Sequence, residues 1–217
     1  MNYWLIAILN LCIILPAATG LVRFSKINRA YWPFMYCMWL ATLVEITSIL
    51  LAFNGLPNAV ISNTYTLIES ILITWLFYKW EIFEKRKNVL YILIATLIIF
   101  WGVEVFIVRT IFDFCSHFRI FYSFIIVMLG ISTINGLIIR ERKTLLKNST
   151  FLLCIGFAFY YTLQIMVEAF WISNITDKNF SANIYNISVI TNFITNLLYT
   201  VAILWIPTRL KFTLPSL

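Results

Sequence analysis

Seven apolar runs alternate with short polar stretches along the chain, at roughly 4–24, 32–53, 61–80, 89–109, 117–139, 150–173 and 184–206. A helix needs about 20 mainly apolar residues to cross a bilayer. The pattern therefore predicts an all-α fold, a polytopic integral membrane bundle of seven transmembrane helices in one domain covering 1–217. Pro16 sits inside the first run and is expected to bend it, because a proline removes a hydrogen bond and crowds the preceding turn. The first 20 residues, MNYWLIAILNLCIILPAATG, also have the look of a signal peptide. They lack the basic leader of one, and the stretch is read as span one.

Within the runs, polar residues recur at helical spacing. On span three Ser62, Tyr65, Thr66, Glu69 and Ser70 fall on one face. On span seven Ser188, Thr191, Asn192, Thr195, Asn196 and Tyr199 do the same, and on span six Tyr161, Gln164 and Glu168. Residues three and four apart share a helix face, so each stripe is expected to look into the bundle, with Ile, Leu and Phe toward lipid.

Glutamate is the residue that most needs explaining. Glu45, Glu69, Glu104 and Glu168 each interrupt an apolar run. An acidic residue at a helix centre costs about 2.5–3.5 kcal/mol on insertion scales. A carboxyl in such a place marks an ion, proton or ligand site by default. The candidate ligand- or ion-binding set is Glu45, Glu69, Glu104, Glu168, Asn192, Asn196, Gln164, Tyr65 and Asn10, in the outer half of the spans. Four ionised carboxylates facing one another would repel, so shared protons or bound cations are expected among them. Arg109, His117 and Arg119 lie close by. The competing structural reading is that such polar groups only join helices by hydrogen bonds, at an average of about 0.6 kcal/mol each.

The segments LVEI at 43–46, GVEV at 102–105 and MVEA at 166–169 suggest a repeat: one helix followed by three related hairpins. Asn63 and Asn186 occupy equivalent places in the first and third hairpins, and Tyr122 stands there in the second.

Composition then fixes the class. The chain is 62% hydrophobic and 12% charged, with mean hydropathy +0.90, against about 25% charged in soluble domains. A net charge of +7 would suit a nucleic-acid binder, but the basic residues cluster between apolar runs and report topology instead. Arg23, Lys26 and Arg29 follow span one; Lys79, Lys85, Arg86 and Lys87 follow span three. Arg140, Arg142, Lys143 and Lys147 follow span five, and Arg209 and Lys211 follow span seven. These are 13 of the 16 Lys and Arg; only Arg109, Arg119 and Lys178 lie on the other side. Basic loops stay cytoplasmic, which predicts an outside amino terminus and an inside carboxyl terminus. Tyr3, Trp4, Trp32, Trp80, Trp171 and Trp205 read as interface anchors. The abundance of Ile, Asn, Phe and Lys suits a low-GC bacterium and its plasma (inner) membrane.

Catalytic signatures are missing. Cys12, Cys37, Cys115 and Cys154 have no CxxC spacing, there is a single histidine, His117, and neither HExxH nor GxSxG occurs. No enzyme activity and no cofactor is expected. Seven helices with an outside amino terminus have the topology of rhodopsins and G-protein-coupled receptors, but span seven has no lysine for a retinal Schiff base. Span three ends in FYKWE where those receptors have an acidic-Arg-aromatic motif. Short loops and tails offer no soluble domain, so the expected partners are the lipid bilayer and a membrane or cytoplasmic protein at the basic loops. The leading expectation is a receptor-like or sensory module that binds a small cationic or hydrogen-bonding ligand. A small solute or proton-coupled transporter comes next, then an assembly or scaffold subunit.

Overall fold

The computed structural model describes residues 3–83, 86–140, 145–173 and 178–208. Of the basic clusters, Lys85, Arg142, Lys143, Arg209 and Lys211 lie outside the described residues, as do the side chains of Tyr3, Trp4, Arg140 and Lys178. The described chain is helical throughout: α1 Tyr3–Asn10, α2 Ile14–Arg23, α3 Trp32–Phe53, α4 Ala59–Lys79, α5 Lys87–Val103, α6 Ser116–Arg140, α7 Ser149–Ile172 and α8 Lys178–Trp205. Among the described residues seven helical segments are long and apolar enough to cross a membrane: Leu5–Arg23, Arg29–Phe53, Ala59–Lys79, Lys87–Val108, Ser116–Ile139, Ser149–Ile172 and Asn183–Trp205.

The first segment is broken as its sequence requires. A tight 3₁₀ turn over Leu11–Ile13 separates α1 from α2. Pro16 has no N–H for the Cys12 carbonyl and its ring crowds that turn, so the helix tightens just before it. The fourth segment ends in a π-helical turn over Glu104–Val108, closed by the Arg109 amide on the Glu104 carbonyl at 2.8 Å.

Short connections make neighbours antiparallel, and contacts at the two ends confirm it. At one end, here the basic end, Arg23 donates to the Ile203 and Leu204 carbonyls at the close of α8. There too the Tyr31 hydroxyl meets Ser149 and Thr150 at 2.9 and 2.7 Å. At the opposite end Asn63, with no exposed surface, gathers the α5–α6 connection. Its amide donates to the Ile111 and Asp113 carbonyls at 3.0 and 2.7 Å, and its carbonyl accepts from the Cys115 amide at 3.1 Å.

The packing is uneven. α3 lies along α4, and α7 lies between α6 and α8, whereas α5 leans on α4 and meets α6 near one end, where Phe100 stacks on Phe121 at 4.5 Å. The α5–α6 pair is thus unlike the other two hairpins of the suggested repeat. Facing is regular: on α8 Ile187, Ile190, Ile194, Leu197, Val201 and Leu204 are exposed, while Thr191, Thr195, Asn196, Tyr199 and Ala202 are buried. Toward the basic end the interior is aromatic. Phe34 meets Tyr199 and Phe157 at ring distances of 5.2 and 5.9 Å, and Phe77 meets Trp80 at 5.4 Å. Between helices in lipid, attraction comes from such close packing and from hydrogen bonds.

Candidate functional site

Three polar stripes converge in the half of the bundle away from the basic end. The α4 stripe turns inward as its spacing requires, with Asn63, Thr66, Glu69 and Ser70 all buried. Facing it are Arg119 and Tyr122, one turn apart on α6, and Tyr161, Gln164 and Glu168 on α7.

Arg119 holds two helices to its own. One guanidinium nitrogen is 3.1 Å from Glu168 Oε1 on α7, and another donates to Ser62 Oγ on α4. Gln164, a turn before Glu168, donates to the same carboxylate oxygen at 2.9 Å. The Arg119 guanidinium also lies 5.2 Å from the centre of the Phe114 ring. This pair forms one wall of a cavity of about 600 Å³ that is open at the end opposite the basic loops. Phe112, Phe114, Trp171 and Tyr185 supply aromatic surface to it, and Arg109, Asp113 and Ser188 supply polar groups.

Glu69 lies deeper and takes hydroxyl donors on both oxygens, Tyr65 on Oε1 at 2.9 Å and Tyr122 on Oε2 at 2.8 Å. Tyr161 lies close to it as well. Beside it is a small, partly open inner cavity of about 40 Å³ whose walls include Tyr160, Asn192, Thr195, Asn196 and Tyr199. Asn196 donates to the Asn192 carbonyl at 3.1 Å.

The other two glutamates stand apart. Glu104 caps α6: its Oε1 accepts the His117 amide at 3.0 Å and meets the ring Nδ1 at 3.1 Å, and its Oε2 takes the Phe118 amide. The first amides of a helix lack partners within it, and a carboxylate there also meets the positive end of the helix dipole. Glu45 is partly exposed on α3, with Asn10 as its nearest polar neighbour.

Of the nine candidates read from the sequence, the structure brings Glu69, Tyr65, Asn192 and Asn196 together around the small inner cavity, and Glu168 with Gln164 at the larger one. Glu45 with Asn10 and Glu104 form separate pairings, so the four acids do not share one pocket. Arg119, Tyr122, Tyr161, Ser62 and Thr195 complete the site and were not in that set. Ser62, Tyr161 and Thr195 stand on the stripes of spans three, six and seven, and Arg119, Tyr122 and Ser123 repeat the same 0, 3, 4 spacing on α6.

Just before the start of that helix the fully buried Cys115 lies in the α5–α6 connection. Burial first, then the Glu104 carboxylate, pushes its thiol up to about 11, against the pull of Arg119 and Arg109. The chain matches no family model, no curated protein and no solved structure.

Proposed function

We propose that this chain is a multi-pass protein of a bacterial plasma membrane, with the amino terminus and the open pocket outside, that works as a receptor-like module for a small cationic or zwitterionic ligand. The observation that carries the reading is the buried Arg119–Glu168 pair exposed along one wall of the roughly 600 Å³ cavity. Glu168 and Gln164 offer acceptors for an ammonium group, and Phe112, Phe114, Trp171 and Tyr185 offer ring faces, which attract cations. Ligand pockets of this size combine apolar walls with a few placed polar groups.

The network beneath the pocket supports a sensory role. A ligand that competes with Arg119 for Glu168 disturbs α6, α7 and α4 together, because Arg119 is shared by all three. Tyr122 extends the link one turn further to Glu69. Beyond Glu69 the aromatic layer of Phe34, Phe77, Phe157 and Tyr199 closes the way to the basic end, which favours signalling over passage. Output then goes through a partner protein at the basic loops. The transporter reading is favoured by one feature, the second cavity at Glu69, which lies where a coupling ion would sit.

The test is a thermal-shift titration of the purified chain with aliphatic amines, quaternary ammonium compounds and zwitterionic amino acids. A saturable rise in Tm that Glu168→Gln removes supports the pocket. No shift with any compound at millimolar concentration overturns it. Uptake of the same compound into liposomes bearing the chain would replace the receptor by the carrier.

A further inference from the structure

We propose that the small inner cavity beside Glu69 is a binding site for a largely dehydrated monovalent cation of sodium size. This concerns the inner cavity and does not rest on ligand binding in the open pocket.

The first observation is the conduct of one threonine. Thr42, Thr47, Thr64, Thr66, Thr96, Thr133 and Thr200 each donate their hydroxyl to the carbonyl four residues before. That is the ordinary way for a threonine inside a helix to satisfy itself. Thr195 is 2% exposed and its Oγ1 has no partner at all, although it lines the cavity. A buried hydroxyl without a partner loses about 1–3 kcal/mol. Something in the cavity is its natural counterpart.

Charge gives the second observation. Glu69 has a tyrosine hydroxyl at each carboxylate oxygen, an arrangement its ionised form, which only accepts, completes with both hydroxyls donating. The nearest cation in its surroundings, Arg119, is already neutralised by Glu168. With Glu69 ionised, Glu69, Glu168 and Arg119 together carry one uncompensated negative charge, which a bound cation would balance. A buried charge is costly unless it is paired, and the walls of the cavity include no Lys, Arg or His.

The donor set and the volume specify the occupant. Glu69, Thr195, Asn192, Asn196 and the tyrosine hydroxyls are oxygen donors, suited to hard cations. With one carboxylate the site balances a single positive charge rather than two. A volume of about 40 Å³ takes an ion with one or two waters, since a water needs about 10–15 Å³ on this measure. An organic ammonium ligand does not fit.

The experiment uses the full chain in nanodiscs, held at constant ionic strength with N-methyl-D-glucamine chloride as the exchanged salt. Tm is followed as NaCl, and separately KCl, replaces it. The expected result is a saturable rise in Tm with sodium, smaller with potassium, and absent in both Thr195→Val and Glu69→Gln. Thr195→Val keeps the side-chain volume and removes only the hydroxyl, so it decides the matter if Glu69→Gln does not fold. A wild-type Tm indifferent to sodium overturns the site and leaves water as the occupant. A sodium shift that survives in Thr195→Val, or a potassium shift as large as the sodium one, overturns it equally.

Discussion

The Tyr122 hydroxyl on α6 donates to Oε2 of Glu69 on α4 at 2.8 Å, while Tyr65, one turn before Glu69 on its own helix, donates to Oε1 at 2.9 Å. One carboxylate thereby joins α4 to α6 through Oε2, while Oε1 is held by its own helix. The tie has a cost in specificity: neither tyrosine can be replaced by a residue of the same shape without leaving an oxygen of Glu69 unattended.

Tyr122→Phe is therefore expected to destabilise the chain by about 0.6–1.7 kcal/mol, the span measured for interhelical hydrogen bonds in a membrane protein. Tyr65→Phe should cost a similar amount. Because both act on one carboxylate, the double variant should depart from the sum of the two singles. Reversible unfolding in mixed detergent micelles measures all three. Strict additivity would mean that the two hydroxyls do not share Glu69.

Breaking the Arg119–Glu168 pair has a different signature. Arg119→Met leaves Glu168 buried without its cation, and loss of one partner of a buried pair costs about 3–5 kcal/mol. Replacing both, as in Arg119→Met with Glu168→Leu, removes the stranded charge and should restore part of that loss. Arg119→Lys should not rescue, since one ammonium cannot serve Glu168 and Ser62 in the way two guanidinium nitrogens do. The same unfolding assay reads this. A double variant worse than either single one would sink the interpretation.

The seven spans were legible in the sequence because length and apolar composition alone define them; the largest displacement is Arg29 against an expected start near 32. The inward faces of α4, α7 and α8 were legible from helical spacing for the same reason. The partners of each glutamate were not. Periodicity states which face a residue occupies on its own helix and says nothing of which helix lies opposite. Glu45, Glu104 and Glu168 sit in similar local sequence, yet one meets Asn10, one caps α6 and one pairs with Arg119. The role of Glu104 in particular depends on the π-helical turn and on where α6 begins, which are set by Asn63 gathering the connection.

Two glycines should respond oppositely to alanine. A Cβ on Gly156 would lie 2.5 Å from the Tyr199 ring, which is itself held between Phe34 and Phe157. Gly156→Ala should thus cost about 1–3 kcal/mol, the usual penalty of overpacking. Gly136, on α6, has nothing within 4 Å of its Cβ position. Gly136→Ala should stabilise by up to about 1 kcal/mol, because alanine restricts the helix less unfavourably than glycine. Melting temperatures of the two variants moving in the same direction would contradict the α7–α8 contact.

Cys115 offers a pH-dependent readout of the α5–α6 connection. The thiolate is the reactive form, and with the thiol held at about 11 little of it exists near neutrality. Maleimide labelling of Cys115 in the folded chain, followed by peptide mapping, should be slow at pH 7 and rise about tenfold per pH unit up to about 10. In the unfolded chain the rise should level off near pH 8.5, the ordinary thiol value. Fast labelling of the folded chain at pH 7 would show that the connection does not enclose the sulfur.

Orientation is open to the most direct test. Leu56, in the turn between α3 and α4, and Lys87, at the start of α5, are both exposed and lie at opposite ends of the bundle. In sequence, thirteen of the sixteen basic residues follow spans one, three, five and seven, as Lys87 does, and the bias of Lys and Arg toward cytoplasmic loops sets which way a bundle inserts. Leu56→Cys should accordingly react with a membrane-impermeant maleimide in intact cells. Lys87→Cys should react only after the membrane is permeabilised. The chain's own cysteines serve as the background, since Cys37, Cys115 and Cys154 are buried and Cys12 lies within a span. The reverse labelling pattern would turn the bundle over and move the Arg119–Glu168 pocket to the cytoplasmic side, where an external ligand could not reach it.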